Sequence, residues 1–154
     1  GYIEKPFPIE LLRSNISTLF RNKEISYKQL INKPLTHYNS MTASKVDEEY
    51  MRKLHDYIMK HISETDLNIE NLTTQLGTSK SSLYRKLKAN TGLSINEYIR
   101  VCRLKQAAEL LSTQKYKINE VAFMTGFSSP SYFATCFQKQ FNLSPSEFVK
   151  NLGQ

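Results

Sequence analysis

The sequence predicts an all-α domain built from two helix-turn-helix units joined by a long helix. From Val46 onward no stretch shows sustained apolar–polar alternation, so no sheet is expected there. Apolar residues recur instead at spacings of three and four. One stretch also occurs twice.

The repeat is the strongest of these observations. At an offset of 49, the run IENLTTQLGTS (69–79) lies over INEVAFMTGFS (118–128), with Ile, Gly and Ser coinciding. Beyond Ser128 the offset becomes 50. Leu83 then meets Phe133, Leu87 meets Phe137, Leu93-Ser94 meets Leu143-Ser144, and Glu97 meets Glu147.

Each element has a local reason. Residues 1–23 start with an apolar, strand-like stub and then place Ile9, Leu12, Ile16, Leu19 and Phe20 at helical spacing. Residues 24–45, polar and interrupted by Pro34, read as a linker. The domain spans 46–154, and its first helix carries the stripe Val46, Tyr50, Leu54, Tyr57/Ile58 and Ile62. The first unit covers about 69–90. Asn68 is an N-cap candidate, Gly77 suits a left-handed turn, and Ser79 can cap the second helix from Lys80. The second unit, about 118–141, repeats the pattern with Gly126 at the turn and Ser129-Pro130 at the next helix start. Ser94 with Glu97, and Ser144-Pro145 with Glu147, are capping boxes. Between the units a helix from about Ile95 to Ser112 is apolar on much of its circumference, with Arg100, Arg103 and Lys105 expected as a basic edge. Its length, roughly 25 Å, suits two reading heads about one DNA turn apart, roughly 34 Å.

Charge points to a polyanion. Lys+Arg is 21 against 14 Asp+Glu, a net +7 with a pI near 9.4. The excess is concentrated: between residues 80 and 105 the seven basic residues face Glu97 alone. Solvent-facing side chains at the start of the second helix, Lys80, Ser81, Tyr84 and Arg85, are the candidates for the major groove. Lys86 and Lys88 read as phosphate contacts or solvated charges, and Leu83 and Leu87 as core. In the second unit the matching positions are Ser129, Pro130, Ser131 and Thr135, with Lys139 nearby. Phe123, Phe127, Phe133, Phe137, Phe141 and Phe148, at helical spacing, read as core, and Tyr132 as half exposed.

Other chemistries find little support. His37, His55 and His61 have no Cys or His partners at metal-ligand spacing, so neither metal nor cofactor is expected. With five Gly the chain has no glycine-rich phosphate loop, and no catalytic constellation is present. Leu54-His55-Asp56-Tyr57 does not resemble a phosphohistidine motif. Cys102 and Cys136 read as buried thiols, consistent with a reducing cytoplasm. No apolar run is long enough for a membrane span, so this segment is expected to make no membrane contact. The start, Gly1 without an initiator Met, suggests a piece of something longer.

From about residue 48 to 152 the sequence resembles the AraC/XylS-type DNA-binding domain. The resemblance rests on INEVAFMTGFSSPSYF (118–133), FNLSPSEF (141–148) and the linker-helix stretch RLKQAAELL (103–111). It implies seven helices, two helix-turn-helix units, base reading by Ser81, Tyr84 and Arg85, and a departure at Thr135, where the family often carries a basic or amide residue. YIEKPF (2–7) resembles the last strand and loop of a response-regulator receiver, which would make 1–23 a receiver remnant and the chain the output end of a two-component regulator. The acceptor Asp would lie upstream, so no phosphorylation is assigned to this chain. The resemblance implies double-stranded DNA as partner, RNA polymerase as a second contact, and a homodimer through the missing receiver part. It also implies a cytoplasmic domain whose full-length parent can be membrane-anchored. A different class of function, a protein-interaction module with DNA secondary, would show as salt-independent partner binding.

The first unit, richer in charge, is expected to supply most base-edge specificity. Arg85→Ala should therefore weaken discrimination between cognate and non-cognate duplexes by about 1–3 kcal/mol. A larger loss in Thr135→Ala, measured by competition binding, would reverse the order of the two heads.

Overall fold

The computed structural model describes residues 45–153, which form seven α-helices and no strand. The receiver-like reading of 1–23 and the linker reading of 24–45 lie outside the described residues, except for Lys45, which opens the first helix instead of ending a linker. The helices are α1 (Lys45–Lys60), α2 (Ile69–Leu76), α3 (Lys80–Thr91), α4 (Ile95–Ser112), α5 (Ile118–Met124), α6 (Pro130–Phe141) and α7 (Pro145–Leu152).

The caps lie where the sequence put them. The Asn68 side chain accepts the Asn71 N–H, Ser79 accepts that of Ser82, and Ser129 accepts that of Tyr132. Ser94 and Ser144 each complete a reciprocal capping box with Glu97 and Glu147. The two turns superpose in their hydrogen bonds: Thr78 N–H reaches the Thr73 carbonyl, and Phe127 N–H reaches that of Ala122. Both are the six-to-one closure that follows a left-handed residue. That residue is Gly77 (φ 63°) in the first turn and Gly126 (φ 83°) in the second. The likeness continues at the ends of α3 and α6, where Gly92 (φ 74°) and Asn142 (φ 59°) both stop the helix in the left-handed region.

Two cores form, and α4 is the wall between them. Leu54, Ile58, Leu72, Leu83 and Leu87 pack with Ile95, Tyr98, Ile99 and Cys102 from the first half of α4. Phe127, Phe133, Phe137, Phe141 and Phe148 pack with Leu104, Ala107, Ala108 and Leu111 from its second half. The first core is chiefly aliphatic. The second is an aromatic stack, with Phe137 ring centroids 5.6 Å from Phe133, 4.6 Å from Phe141 and 5.4 Å from Phe148. Cys102 and Cys136 are buried free thiols.

Three sequence expectations fail. Phe123 is 56% exposed instead of buried, because α5 turns its Val121 and Ala122 inward. Lys105 is not on a basic edge: it is 7% exposed, and its ammonium has no hydrogen-bond partner among the described residues. Arg103 is half-buried, with its guanidinium donating to the Glu64 and Thr65 carbonyls. Of that expected edge only Arg100 faces solvent.

The turn glycines differ in what surrounds them. A Cβ on Gly77 would meet nothing, whereas one on Gly126 would overlap the Ile62 carbonyl and lie 2.9 Å from Arg103 Nε. Gly77→Ala should lose about 1–2 kcal/mol, from the left-handed backbone alone. Gly126→Ala should lose about 1–3 kcal/mol beyond that, from the overlap. Urea unfolding of both variants checks this, and equal losses would contradict it.

Candidate nucleic-acid interface

Helix α3 sets its side chains by period. Leu83, Leu87 and Thr91 turn into the first core. Ser81, Tyr84, Arg85 and Lys88 then fall at i, i+3, i+4 and i+7, on one stripe of the helix. All four are exposed, with Tyr84 at 44%. Arg85 and Lys88 have no ion-pair partner among the described residues. Lys80, at the start of the helix, makes an exposed 3.4 Å ion pair with Glu70. Such a pair holds little energy in water and yields readily to a phosphate.

Lys86 stands apart. It is half-buried, and its ammonium lies over the Tyr50 ring of α1, 4.5 Å from the centroid. This cation–π contact ties α1 to α3 on the flank away from the stripe. Nothing local in the residue pattern signals it, because it depends on where α1 docks.

Helix α6 repeats the arrangement with different chemistry. Phe133, Cys136, Phe137 and Phe141 are buried. Ser129 and Pro130 are half-buried at the helix start, while Ser131, Thr135 and Lys139 are exposed. The Ser129 hydroxyl accepts the Tyr132 N–H at 3.2 Å, so its proton remains free to donate. The Thr135 hydroxyl donates to its own helix, at the Ser131 carbonyl 3.1 Å away, which leaves it only as an acceptor. At the offset of 50, Ser131 answers Ser81, Thr135 answers Arg85, and Gln138 answers Lys88. Gln138 is exposed and was missed by the sequence reading, although the repeat register contains the signal. Lys139 answers Ala89 and so lies one position off the stripe.

Helix ends separate α3 and α6 from the other five. Asp47 and Glu48 open α1, Glu70 opens α2, Glu97 α4, Glu120 α5 and Glu147 α7. Neither α3 nor α6 has an acid in its first turn. A carboxylate there would complement the positive end of the helix dipole. Its absence leaves the Lys80 and Ser81 N–H groups of α3 and the Ser131 N–H of α6, where Pro130 has none, without a carboxylate beside them. Glu97 shows the opposite case: its carboxyl is held below the usual range by the Ser94 backbone N–H and hydroxyl, with Lys88 and Arg100 nearby.

A family model described as "Helix-turn-helix domain" matches residues 72–151. A curated histidine kinase of Formosa agariphila is 33% identical over 147 residues, 96% of this chain and 11% of its own length. The C-terminal domain of AraT, a response regulator from Geobacillus stearothermophilus, is 33% identical with a TM-score of 0.59, over 66% of this chain and 84% of that one. The DNA-binding domain of the global transcriptional factor AdpA, solved with a target DNA, is 26% identical with a TM-score of 0.58, over 64% and 88% of the two chains. The chain spans less than half the length of the curated relatives it matches.

Lys105 lies away from the α3 stripe. Burial pushes its ammonium down to about 8, against attraction from Cys102 and Glu109. His55, 3.8 Å from the Cys102 thiol, has its pKa lowered by burial, opposed by Asp56 and reinforced by Lys105. In the unfolded chain a Lys titrates near about 10.4. Between about 8 and 10.4 the unfolded chain therefore binds more protons at this site, and the Lys105 contribution to stability rises with pH. Cys102, pushed up to about 12 by burial, works in the opposite direction above its ordinary range. The difference between wild type and Lys105→Met reports the lysine together with its coupling to His55 and Cys102. Met should stabilise the domain at pH 7, and that advantage should vanish by about pH 10.5, as denaturant midpoints across pH would show. A pH-independent difference would mean that the ammonium is solvated.

Proposed function

We propose that this chain, which belongs to the AraC-type helix-turn-helix family of DNA-binding domains, reads duplex DNA with two recognition helices set in successive major grooves. The observation that carries the reading is the pair of acid-free helix starts on α3 and α6, each beside a stripe of exposed donors. Arg85 pairs bidentately with guanine, and Ser81 and Tyr84 give softer readout around it. Lys80, Lys88 and Lys139 serve phosphates, whereas Lys86 holds α1 against α3. In the second unit the Ser129 and Ser131 hydroxyls, with the Ser131 backbone N–H behind Pro130, clamp the second groove. Thr135 accepts from a base amine, and Gln138 joins that surface.

The likeness to a response regulator's C-terminal domain and to a histidine kinase supports an output role in a two-component regulator of transcription. On this reading the domain is not an enzyme and works in the cytoplasm. No helix among the described residues is long and apolar enough to cross a membrane. RNA polymerase is a second contact, and two copies pair through a receiver part. One observation favours protein contact as a role of its own: Phe123 and Met124, at the end of α5, stand 56% and 38% exposed.

Enrichment of random duplexes on this chain, repeated across a salt series, tests the reading. The expected result is two base clusters about 10 bp apart. Lys88→Ala should reduce the salt slope by about one phosphate, and Lys86→Met should leave it unchanged. Tight binding at low salt without any motif would refute specific reading by this chain.

A further inference from the structure

We propose that Arg103 is a positioning residue that fixes how the second helix-turn-helix unit sits relative to the first. It stands at the seam of α4. Cys102 is the last α4 residue of the first core, and Leu104 is the first of the second. Every extensive helix–helix packing lies within α1–α3, lies within α5–α7, or runs to α4. Both cores share the continuous α4, and the contacts at Arg103 add a link between the two halves that lies off the two cores.

On one side the guanidinium donates from Nη2 to the Glu64 and Thr65 carbonyls, in the loop that leads from α1 to the first unit. On the other side it lies under Gly126, the turn residue of the second unit. A Cβ there would be 2.9 Å from Nε and 3.0 Å from Cζ, and would also strike the Ile62 carbonyl. Loop, guanidinium and turn thus form a three-layer stack. Arg103 Nε is buried without a hydrogen-bond partner among the described residues, facing the bare Gly126 backbone. Tyr132, in the first turn of α6, is near enough to act electrostatically on the guanidinium, as is Asp66 from the first unit's side. A cleft of about 430 Å³ runs beside the stack and is lined from both units by Asp66, Ile69, Phe127 and Tyr132. The Ile62 carbonyl touches the Gly126 turn directly, the cleft leaves the rest of the seam unfilled, and the guanidinium, with its fixed fork of donors, is the side chain that joins loop and turn there.

The functional half of this proposal rests on the DNA reading above. One inserted base pair rotates the second base cluster by about 35° and moves it by about 3.4 Å. A rigid pair of heads rejects that insertion, whereas a loosened pair accepts it.

Two readouts on the full chain test the proposal. The first needs no DNA: spin labels on Gln75→Cys in α2 and Ser146→Cys in α7, both exposed sites, report the inter-unit distance. The wild-type arginine should give one narrow distribution, Arg103→Met a broad one, and Arg103→Lys an intermediate one. The second compares duplexes carrying the two selected clusters at native spacing and with one base pair added. The added pair should weaken wild-type binding on the order of tenfold, and Arg103→Met should shrink that penalty severalfold while keeping affinity for each separate cluster within about twofold. A folded Arg103→Met with a narrow distribution, or with an unchanged spacing penalty, overturns the proposal. If Met prevents folding, Arg103→Lys is judged by the same two readouts. Failure of the wild type to select any motif would refute the DNA reading instead, and the distance distributions would still decide whether Arg103 sets the geometry.

Discussion

Everything in this domain depends on one helix being buried on two sides. Neither unit closes a core alone, because α2–α3 and α5–α6 each offer one apolar face. Helix α4 supplies the opposing wall to both: Ile95 to Cys102 for the first unit, Leu104 to Leu111 for the second. A helix in that position is apolar around most of its circumference. The demand explains the small residues Ala107 and Ala108, fully buried opposite large phenylalanines. It also explains why the cations of its middle stretch are treated so differently. Arg103 is long and forked, and meets carbonyls at the seam. Lys105 lies in the wall itself without a hydrogen-bond partner, so burial presses on its charge.

Duplication separates what the scaffold requires from what the surface is free to vary. Between the two units the caps, the left-handed turns and the buried register agree position by position. Leu83 and Leu87 are answered by Phe133 and Phe137, and Gly92 by Asn142, which tolerates the same backbone. On the exposed stripe only the serine at 81 and 131 is shared. Tyr84, Arg85 and Lys88 face Ala134, Thr135 and Gln138. One unit offers a guanidinium and an ammonium, the other a hydroxyl already bonded to its own helix and an amide. The packing constrains the period of each helix and leaves the identity of its outer residues open.

The same division decides what was legible in the sequence. Caps, turn glycines and the α4 boundaries are local, so each could be read within a few residues, and the structure places them there. The buried leucines and five of the six phenylalanines followed from period. The failures share a cause. Arg103, Lys105 and Lys86 were read as solvent-facing charges because a helix that is apolar nearly all round gives no cue to its outer side, and because α1 docks from far away in sequence. Phe123 failed because α5 is short: Val121 and Ala122, with Ile118 packed beside them, complete its inward face, and Phe123 lies off that face. Gln138 was hidden only by attention to charge. The register that paired Leu87 with Phe137 already paired Lys88 with it.

The helix starts connect folding to recognition most directly. An acid in the first turn stabilises a helix by about 0.3–1 kcal/mol, and five of these seven helices have one. Helices α3 and α6 forgo it, although Lys80 and Pro130 occupy positions where an acid would fit. Folding alone gives no reason for that omission, since a carboxylate at either start would strengthen a short helix. Binding a polyanion gives one. A carboxylate there would occupy the N–H groups a phosphate needs and would repel the strand bringing it. The omission occurs in both units, at the helices whose outer stripes differ most in side chains. On the proposed DNA reading, the acid-free helix start is the shared part of the device, and the stripe is the part that would set what each head reads.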